Sequence, residues 1–266
     1  MIENGRITGG IAIVTGAGGG LGRALATHLA RSGLTVAGIG RQRATLEETA
    51  AHLPDGMFHP IVADVADGEA VRAAYTEIDA LPGPITILIN NAGIYDRFDF
   101  LAEPIDFYMK SVGVNLGGVV ACCHESLARM VAEGRGRIVN VTTFADLAPL
   151  PGSSAYSVSK GAARIFTRAL VADICDRFPD IVINDWIPGA LATQMGIPDG
   201  IPPEEAAAWG AELAQMHERG LTGTLFDQNR ELVPARSLKG RLRDLLLFQK
   251  PPPARILRPR ADHTSV

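Results

Sequence analysis

The sequence is poor in cysteine, lysine, tyrosine and long apolar runs, and each shortage excludes something. Three cysteines, Cys122, Cys123 and Cys175, are too few for a disulfide scaffold, and their odd number leaves one unpaired, which points to a reducing compartment. Neither they nor the six histidines show metal-ligand spacing, so no metal is expected. No apolar run approaches the roughly 20 residues of a membrane-spanning helix. Residues 1–6 lack the charged-then-apolar pattern of a secretory signal, so a cytoplasmic location is expected. What is present is a chain of 266 residues, 47% hydrophobic and 20% charged, too apolar to be disordered and long enough to bury one α/β core.

The net charge of −4 conceals a division. Residues 1–229 carry 16 basic and 26 acidic residues, a balance of −10, and no nucleic-acid partner is expected of them. Residues 230–266 carry 9 basic and 3 acidic residues, a balance of +6. In the body, apolar runs at 11–14, 36–39, 57–63, 85–89, 137–141 and 181–187 alternate with helix-like segments at 21–31, 45–53, 69–81, 105–132 and 153–177. Residues 223–226 fit a last strand. This alternation predicts an α/β fold, a doubly wound parallel sheet between two helical layers, as a single domain over 1–229. In the basic extension over 230–266, residues 237–248 predict an amphipathic helix carrying Leu238, Leu242, Leu245 and Leu246, ended by Pro251, Pro252 and Pro253. The extension is expected to pack on the acidic body or on a neighbouring subunit, ahead of serving as a lid or touching an anionic membrane surface.

Glycine is concentrated where the first apolar run ends: Gly16, Gly18, Gly19, Gly20 and Gly22 surround Ala17 and Leu21. A strand, a glycine turn and a helix let backbone N–H groups approach a pyrophosphate, and the helix N-terminus favours its charge. Two scarce residue types meet further on. Tyr156 is one of four tyrosines, and Lys160 is one of two lysines in the body, the other being Lys110. Four residues apart, they share one face of a helix that Ser153 and Ser154 are expected to cap. A tyrosine ionises near pH 10, and an adjacent cation lowers this by ~1–3 units, so the pair suits proton transfer at an alcohol or carbonyl oxygen.

The turn from Thr15 to Gly22 resembles the T-G-x-x-x-G-x-G turn of the short-chain dehydrogenase/reductase family. Asp64-Val65, Asn90-Asn91-Ala92-Gly93, Asn115, Tyr156 with Lys160, and Pro188-Gly189 with Thr193 follow in the family's order, so the resemblance spans about two-thirds of the chain. It implies a Rossmann-type fold of the classical type and hydride transfer between a nicotinamide cofactor and a carbonyl or secondary alcohol. It also implies cofactor contacts from Gly16, Gly18, Gly19, Gly20, Leu21, Gly22, Asp64, Val65, Asn91, Ala92, Gly93, Tyr156, Lys160, Pro188, Gly189 and Thr193. Tyr156 would be the general acid or base. Lys160 would lower its pKa and bond the nicotinamide ribose, and Asn115, in a local helix irregularity, would hold a relay water.

One position departs from the pattern. The family's serine thirteen residues before the tyrosine is Thr143 here, which keeps the hydroxyl and adds a methyl. Thr143 is expected to orient the reacting oxygen, with Thr142 as the alternative donor. At the end of the second strand the chain reads Gly40-Arg41-Gln42-Arg43, with no acid before Glu47, so NADP is expected, Arg41 pairing with a 2′-phosphate, and NAD is the alternative.

Tyr95, Phe98, Phe100, Phe144 and Met195 sit where relatives border the substrate, and Asp96 and Asp146 are candidates to meet substrate hydroxyls. Residues 201–221 resemble the family's mobile substrate cover. The two long helical segments fit assembly as a homotetramer or homodimer around a small-molecule carbonyl or alcohol enzyme. The alternatives are a 3-ketoacyl-thioester reductase and a non-catalytic cofactor-sensing or scaffold protein of the same fold. Asp185, interrupting an aliphatic strand, has no account at this level.

Overall fold

A computed structural model describes residues 2–97, 99–233 and 253–258. Chain order is β1 (Ile2–Glu3), β2 (Arg6–Ile7), β3 (Ile11–Thr15), α1 (Gly20–Arg31), β4 (Thr35–Gly40), α2 (Arg43–Ala50), β5 (Phe58–Val62), α3 (Gly68–Asp79), β6 (Ile85–Asn90), α4 (Ile105–Val112), a π turn (Gly113–Gly117), α5 (Gly118–Glu133), β7 (Gly136–Val141), α6 (Ser154–Ile174), β8 (Ile181–Ile187), α7 (Pro203–Gln215), β9 (Leu225–Asp227) and β10 (Arg230–Glu231). Among the described residues, eight strands form one sheet in the order β10-β9-β8-β7-β6-β3-β4-β5, parallel except for the β9–β10 hairpin. Both faces are covered, and alternation along β3 sorts the core. Ala12 and Val14 pack towards α1, α2 and α7, while Ile11 and Ile13 pack towards α3 and α5. The strand order reverses between β3 and β6, and a crevice at such a switch point is where open α/β sheets bind ligands.

Several sequence expectations change here. The segment at 105–132 is not one helix, because a π turn at Gly113–Gly117 interrupts it around Asn115, as expected of a mid-helix asparagine. Ser153 stands at the start of α6 without capping it. Its hydroxyl instead donates to the Leu150 carbonyl at 2.6 Å and accepts from the Leu150 N–H at 2.9 Å. The 201–221 segment is not a peripheral cover. Helix α7 packs closely on α1 through Ala206, Ala207, Leu213 and Ala214, all fully buried, and the wholly buried Arg137 of β7 donates to the Leu213 and Met216 carbonyls at its C-terminal end.

The sequence reading did not find the β1–β2 hairpin, whose turn places Asn4 and Gly5 at positive φ and which seats Ile7 in the core. It also ended the body at 229, inside the β9–β10 turn. Strand β10 lies beyond that point, the Leu257 N–H donates to the Asn229 carbonyl at 2.7 Å, and Leu257 is buried in the core. Arg255 pairs with Glu231 at 3.1 Å and with Glu218 at 3.8 Å, so this much of the basic extension lies on the acidic body. The expected helix at 237–248 and Pro251–Pro252 lie outside the described residues, as does Phe98.

Candidate active site

The glycine turn leaves β3 at the switch point. Thr15 fixes it to the end of β6, its hydroxyl accepting from the Asn91 and Ala92 N–H groups at 3.0 and 2.9 Å, while the Asn91 amide donates to the Thr15 carbonyl at 2.9 Å. Gly16 takes φ +71°, a conformation that favours glycine. A Cβ on Gly22 would overlap the Gly16 carbonyl, and one on Gly18 would overlap the Thr45 hydroxyl. Gly19 is different: nothing lies within 4 Å of where its Cβ would stand, and Gly20 faces only Thr193, 3.4 Å away. The start of α1 thus presents an open glycine cradle with no side-chain cap and no acidic residue in its first turn. Arg23 braces it, donating to the Gly18 carbonyl at 2.7 Å, a role that sequence spacing does not announce.

Other expected cofactor residues border the same C-terminal sheet edge. Gly189, after Pro188, has φ +90°, and the Thr193 hydroxyl accepts from the Gly196 N–H at 3.2 Å. Asp64 follows β5 and its carboxylate accepts from the Ala66 N–H at 3.0 Å. Val65 is buried, with its side chain turned against Gly118, so it offers little free side-chain surface. Arg41, just past β4, and Arg43, the first residue of α2, are exposed, and their side chains make no hydrogen bond or ion pair with a described residue.

Four candidate catalytic residues converge beside this cradle. Helix α6 carries Tyr156 and Lys160 on one face. The Thr143 hydroxyl, just past β7, accepts from the Ala145 N–H at 3.2 Å and acts to favour the ionised Tyr156 phenol, whereas Thr142 turns its hydroxyl to the Trp186 carbonyl at 3.4 Å. Tyr95 packs on Tyr156. Gly93 sits where a Cβ would be 3.2 Å from the Asn115 Oδ1 and 3.4 Å from the Lys160 ammonium, so all three meet at one point.

The surroundings of Asn115 and Tyr156 add what spacing does not show. The Asn115 amide donates both hydrogens to protein, one to the Ile94 carbonyl and one to the Ser159 hydroxyl, each at 3.0 Å, and its oxygen accepts from the Ile94 N–H at 2.8 Å. It braces Ile94 against α6. Tyr156 is not depressed: burial pushes its phenol above the ordinary tyrosine range, and Thr143 alone pulls the other way. The Lys160 ammonium is turned to the Val141 carbonyl at 2.9 Å, and burial draws it down to about 8.

The carboxylates proposed for substrate hydroxyls are engaged elsewhere. Asp146 accepts from Arg164 at 2.8 and 2.6 Å, and Asp96 pairs with Lys110 at 3.4 Å. Among the described residues, no cluster of His, Cys, Asp or Glu could hold a metal, and no helix is long and apolar enough to cross a membrane.

An open glycine cradle at the switch point thus stands beside a hydroxyl, a phenol and an ammonium. The chain belongs to the short chain dehydrogenase family, whose model matches residues 10–200. It is similar to "Probable oxidoreductase EphD" of Mycobacterium tuberculosis, 41% identical over 164 residues. That stretch is 60% of this chain and 28% of the mycobacterial protein, so the match spans under a third of that relative's length. It is also similar to galactitol 2-dehydrogenase (L-tagatose-forming) of Cereibacter sphaeroides, 35% identical over 206 residues, covering 77% of this chain and 80% of that one. A crystal structure of a provisionally assigned betaketoacyl-ACP reductase superposes with a TM-score of 0.72 at 27% identity, covering 82% of this chain and 95% of that one.

Proposed function

We propose that this chain interconverts a carbonyl and a secondary alcohol on a small molecule with a nicotinamide dinucleotide, by a Tyr156–Lys160 acid–base mechanism. The observation that carries the reading is the convergence of Asn115 and the Lys160 ammonium on Gly93, on the helix face that also carries Tyr156, at the edge of the glycine cradle. When bound, the nicotinamide supplies or accepts the hydride.

The chain's own residues do the rest. Gly16 to Gly22 and Thr193 hold the pyrophosphate, with Asp64, Asn91, Ala92, Gly93, Pro188 and Gly189 lining the remaining contacts. Thr143 orients the reacting oxygen by donating a hydrogen bond to it. Tyr156 moves the proton at that oxygen. Burial keeps the phenol protonated at neutral pH, which suits donation to a carbonyl. Lys160 supplies a fixed positive charge beside the developing phenolate and bonds the ribose. Asn115 keeps residues 92–94 in register with α6.

NADP is the favoured cofactor. The side chains of Arg41 and Arg43, between β4 and the start of α2, make no hydrogen bond or ion pair with a described residue, and no carboxylate occupies the turn to grip ribose hydroxyls. A homo-oligomer built on the long helices is supported by apolar side chains left exposed there, Phe107, Met109, Val158 and Ile165 among them.

A 3-ketoacyl-thioester reductase is the second reading. It is favoured by an exposed apolar rim, Phe144, Leu147 and Leu150 on the loop after β7 and Met195 and Ile197 after β8. A panel of ketones, polyols and acyl thioesters, assayed with NADPH, NADH and their oxidised forms, tests both. Turnover on none of them would leave cofactor sensing or scaffolding as the function.

A further inference from the structure

Thr143 stands near the start of the loop that joins β7 to α6, whereas Tyr156 and Lys160 stand on α6 itself. The covalent chain alone does not set their relative positions, because twelve residues, 142–153, separate the strand from the helix. The far end of this loop is tied down by Ser153, whose hydroxyl bonds the Leu150 N–H and carbonyl and lies 3.1 Å from the Ser157 hydroxyl. The near end is tied by an ion pair. Asp146, three residues beyond Thr143, accepts from the Arg164 guanidinium through both carboxylate oxygens, at 2.8 and 2.6 Å. The pair is largely shielded from water, Arg164 being 14% and Asp146 18% exposed. Among the described residues, no other ion pair joins this loop to α6.

Gly161 completes the arrangement. It sits inside α6, between Lys160 and Arg164, where a glycine weakens a helix. A Cβ there would stand 2.9 Å from the Asp146 Cβ, closer than two such carbons approach, so Asp146 lies against the helix only because position 161 has no side chain. Tyr156, Lys160 and Arg164 follow one another at four-residue steps along one side of α6. We propose that Asp146, Gly161 and Arg164 form a clasp that holds the loop on α6 and so fixes where Thr143 stands relative to Tyr156. The three act through Thr143 and are positioning residues. The link within the loop is short. The Thr143 hydroxyl accepts from the Ala145 N–H at 3.2 Å, and the Phe144 carbonyl accepts from the Leu147 N–H at 2.9 Å, a turn that contains Asp146. A shift of Asp146 is therefore carried to Thr143. Asp185, the buried carboxylate of β8, is held instead by the Thr167 hydroxyl at 2.7 Å, further along α6. Arg164 is near enough to favour the Asp185 charge, so Asp146→Asn and Gly161→Ala, which leave Arg164 in place, are the cleaner variants.

The consequence for catalysis rests on the roles proposed above for Thr143 and Tyr156, whereas the clasp itself is read without activity. Amide hydrogen exchange of residues 143–152, followed by mass spectrometry in the full-length protein without cofactor, should quicken by about tenfold in Asp146→Asn and in Gly161→Ala. In Gly161→Ala it should do so while Tm holds or rises, because alanine favours the helix. A merely structural role would loosen the loop and lower Tm together. With the substrate that the panel above identifies, kcat should fall by about tenfold in each variant while cofactor affinity holds. In a Thr143→Val background the same substitutions should cost no more than about twofold further, since the group they position is gone. Unchanged exchange in every folded variant overturns the clasp. Quickened exchange with the full loss of kcat persisting in the Thr143→Val background overturns its hold on Thr143, as does quickened exchange with kcat unmoved where Thr143→Val alone is impaired. If Thr143→Val alone leaves turnover intact, the reading of Thr143 fails instead, and the clasp stands or falls on exchange.

Discussion

The Tyr95 ring lies against Tyr156, centroids 4.5 Å apart and planes tilted by 48°. This contact walls one side of the phenol and contributes to the burial that holds its proton in place.

Tyr156→Phe keeps that ring contact and loses only the proton carrier. Turnover should fall by ~10²–10⁴-fold while cofactor affinity, followed by quenching of protein fluorescence, stays within a few-fold. Turnover above a tenth of the wild type would refute the assignment.

Thr143→Val and Thr142→Val separate two adjacent hydroxyls. Only that of Thr143 acts on the Tyr156 phenol, since that of Thr142 turns to the Trp186 carbonyl. Thr143→Val should cost ~10–100-fold in kcat/KM, the worth of one oriented hydrogen bond in the transition state. A larger loss in Thr142→Val would reverse the assignment.

Arg41→Ala tests cofactor choice. A charge-assisted bond to a 2′-phosphate is worth ~1.5–3 kcal/mol, so NADP affinity should weaken by ~10–100-fold with NAD affinity nearly unchanged. Equal weakening of both cofactors would remove Arg41 from the discrimination.

The glycine cradle distinguishes packing from binding. Gly22→Ala places a methyl on the Gly16 carbonyl and 2.6 Å from the Asn91 amide, so a clear drop in Tm is expected. Gly19→Ala meets open space and an extended backbone, so Tm should hold while pyrophosphate binding weakens. A Gly19→Ala protein with unaltered cofactor affinity would show that the cradle lies elsewhere.

What could be read in advance follows from the range of the forces involved. The turn at Gly16–Gly22 was legible because its demands are local: positive φ, a close carbonyl and a helix start all fall within seven residues. The irregularity at Asn115 was legible for the same reason. Asp185 was opaque because its meaning depends on which helix covers β8, and Thr167 reaches it only through the fold. Asp146 looked available until Arg164 arrived from α6. Helix α7 read as an amphipathic cover, yet its small residues Ala206, Ala207 and Gly210 allow close approach to α1, and that matters only once α1 is beside it. Strand β10 and Leu257 carry no periodicity at all, because two residues and a single bridge are too short to have one.

The return of Leu257 to the core bears on how the basic segment can be studied. A chain cut after Asn229 would not be the same enzyme minus an appendage. It would lose strand β10 and uncover the apolar bed that Leu257 fills at 3% exposure. Changed kinetics in such a truncation would report a damaged sheet edge first. Neutralising the arginines and lysines of residues 236–250 by substitution, with Glu231, Arg255 and Leu257 left in place, addresses charge alone.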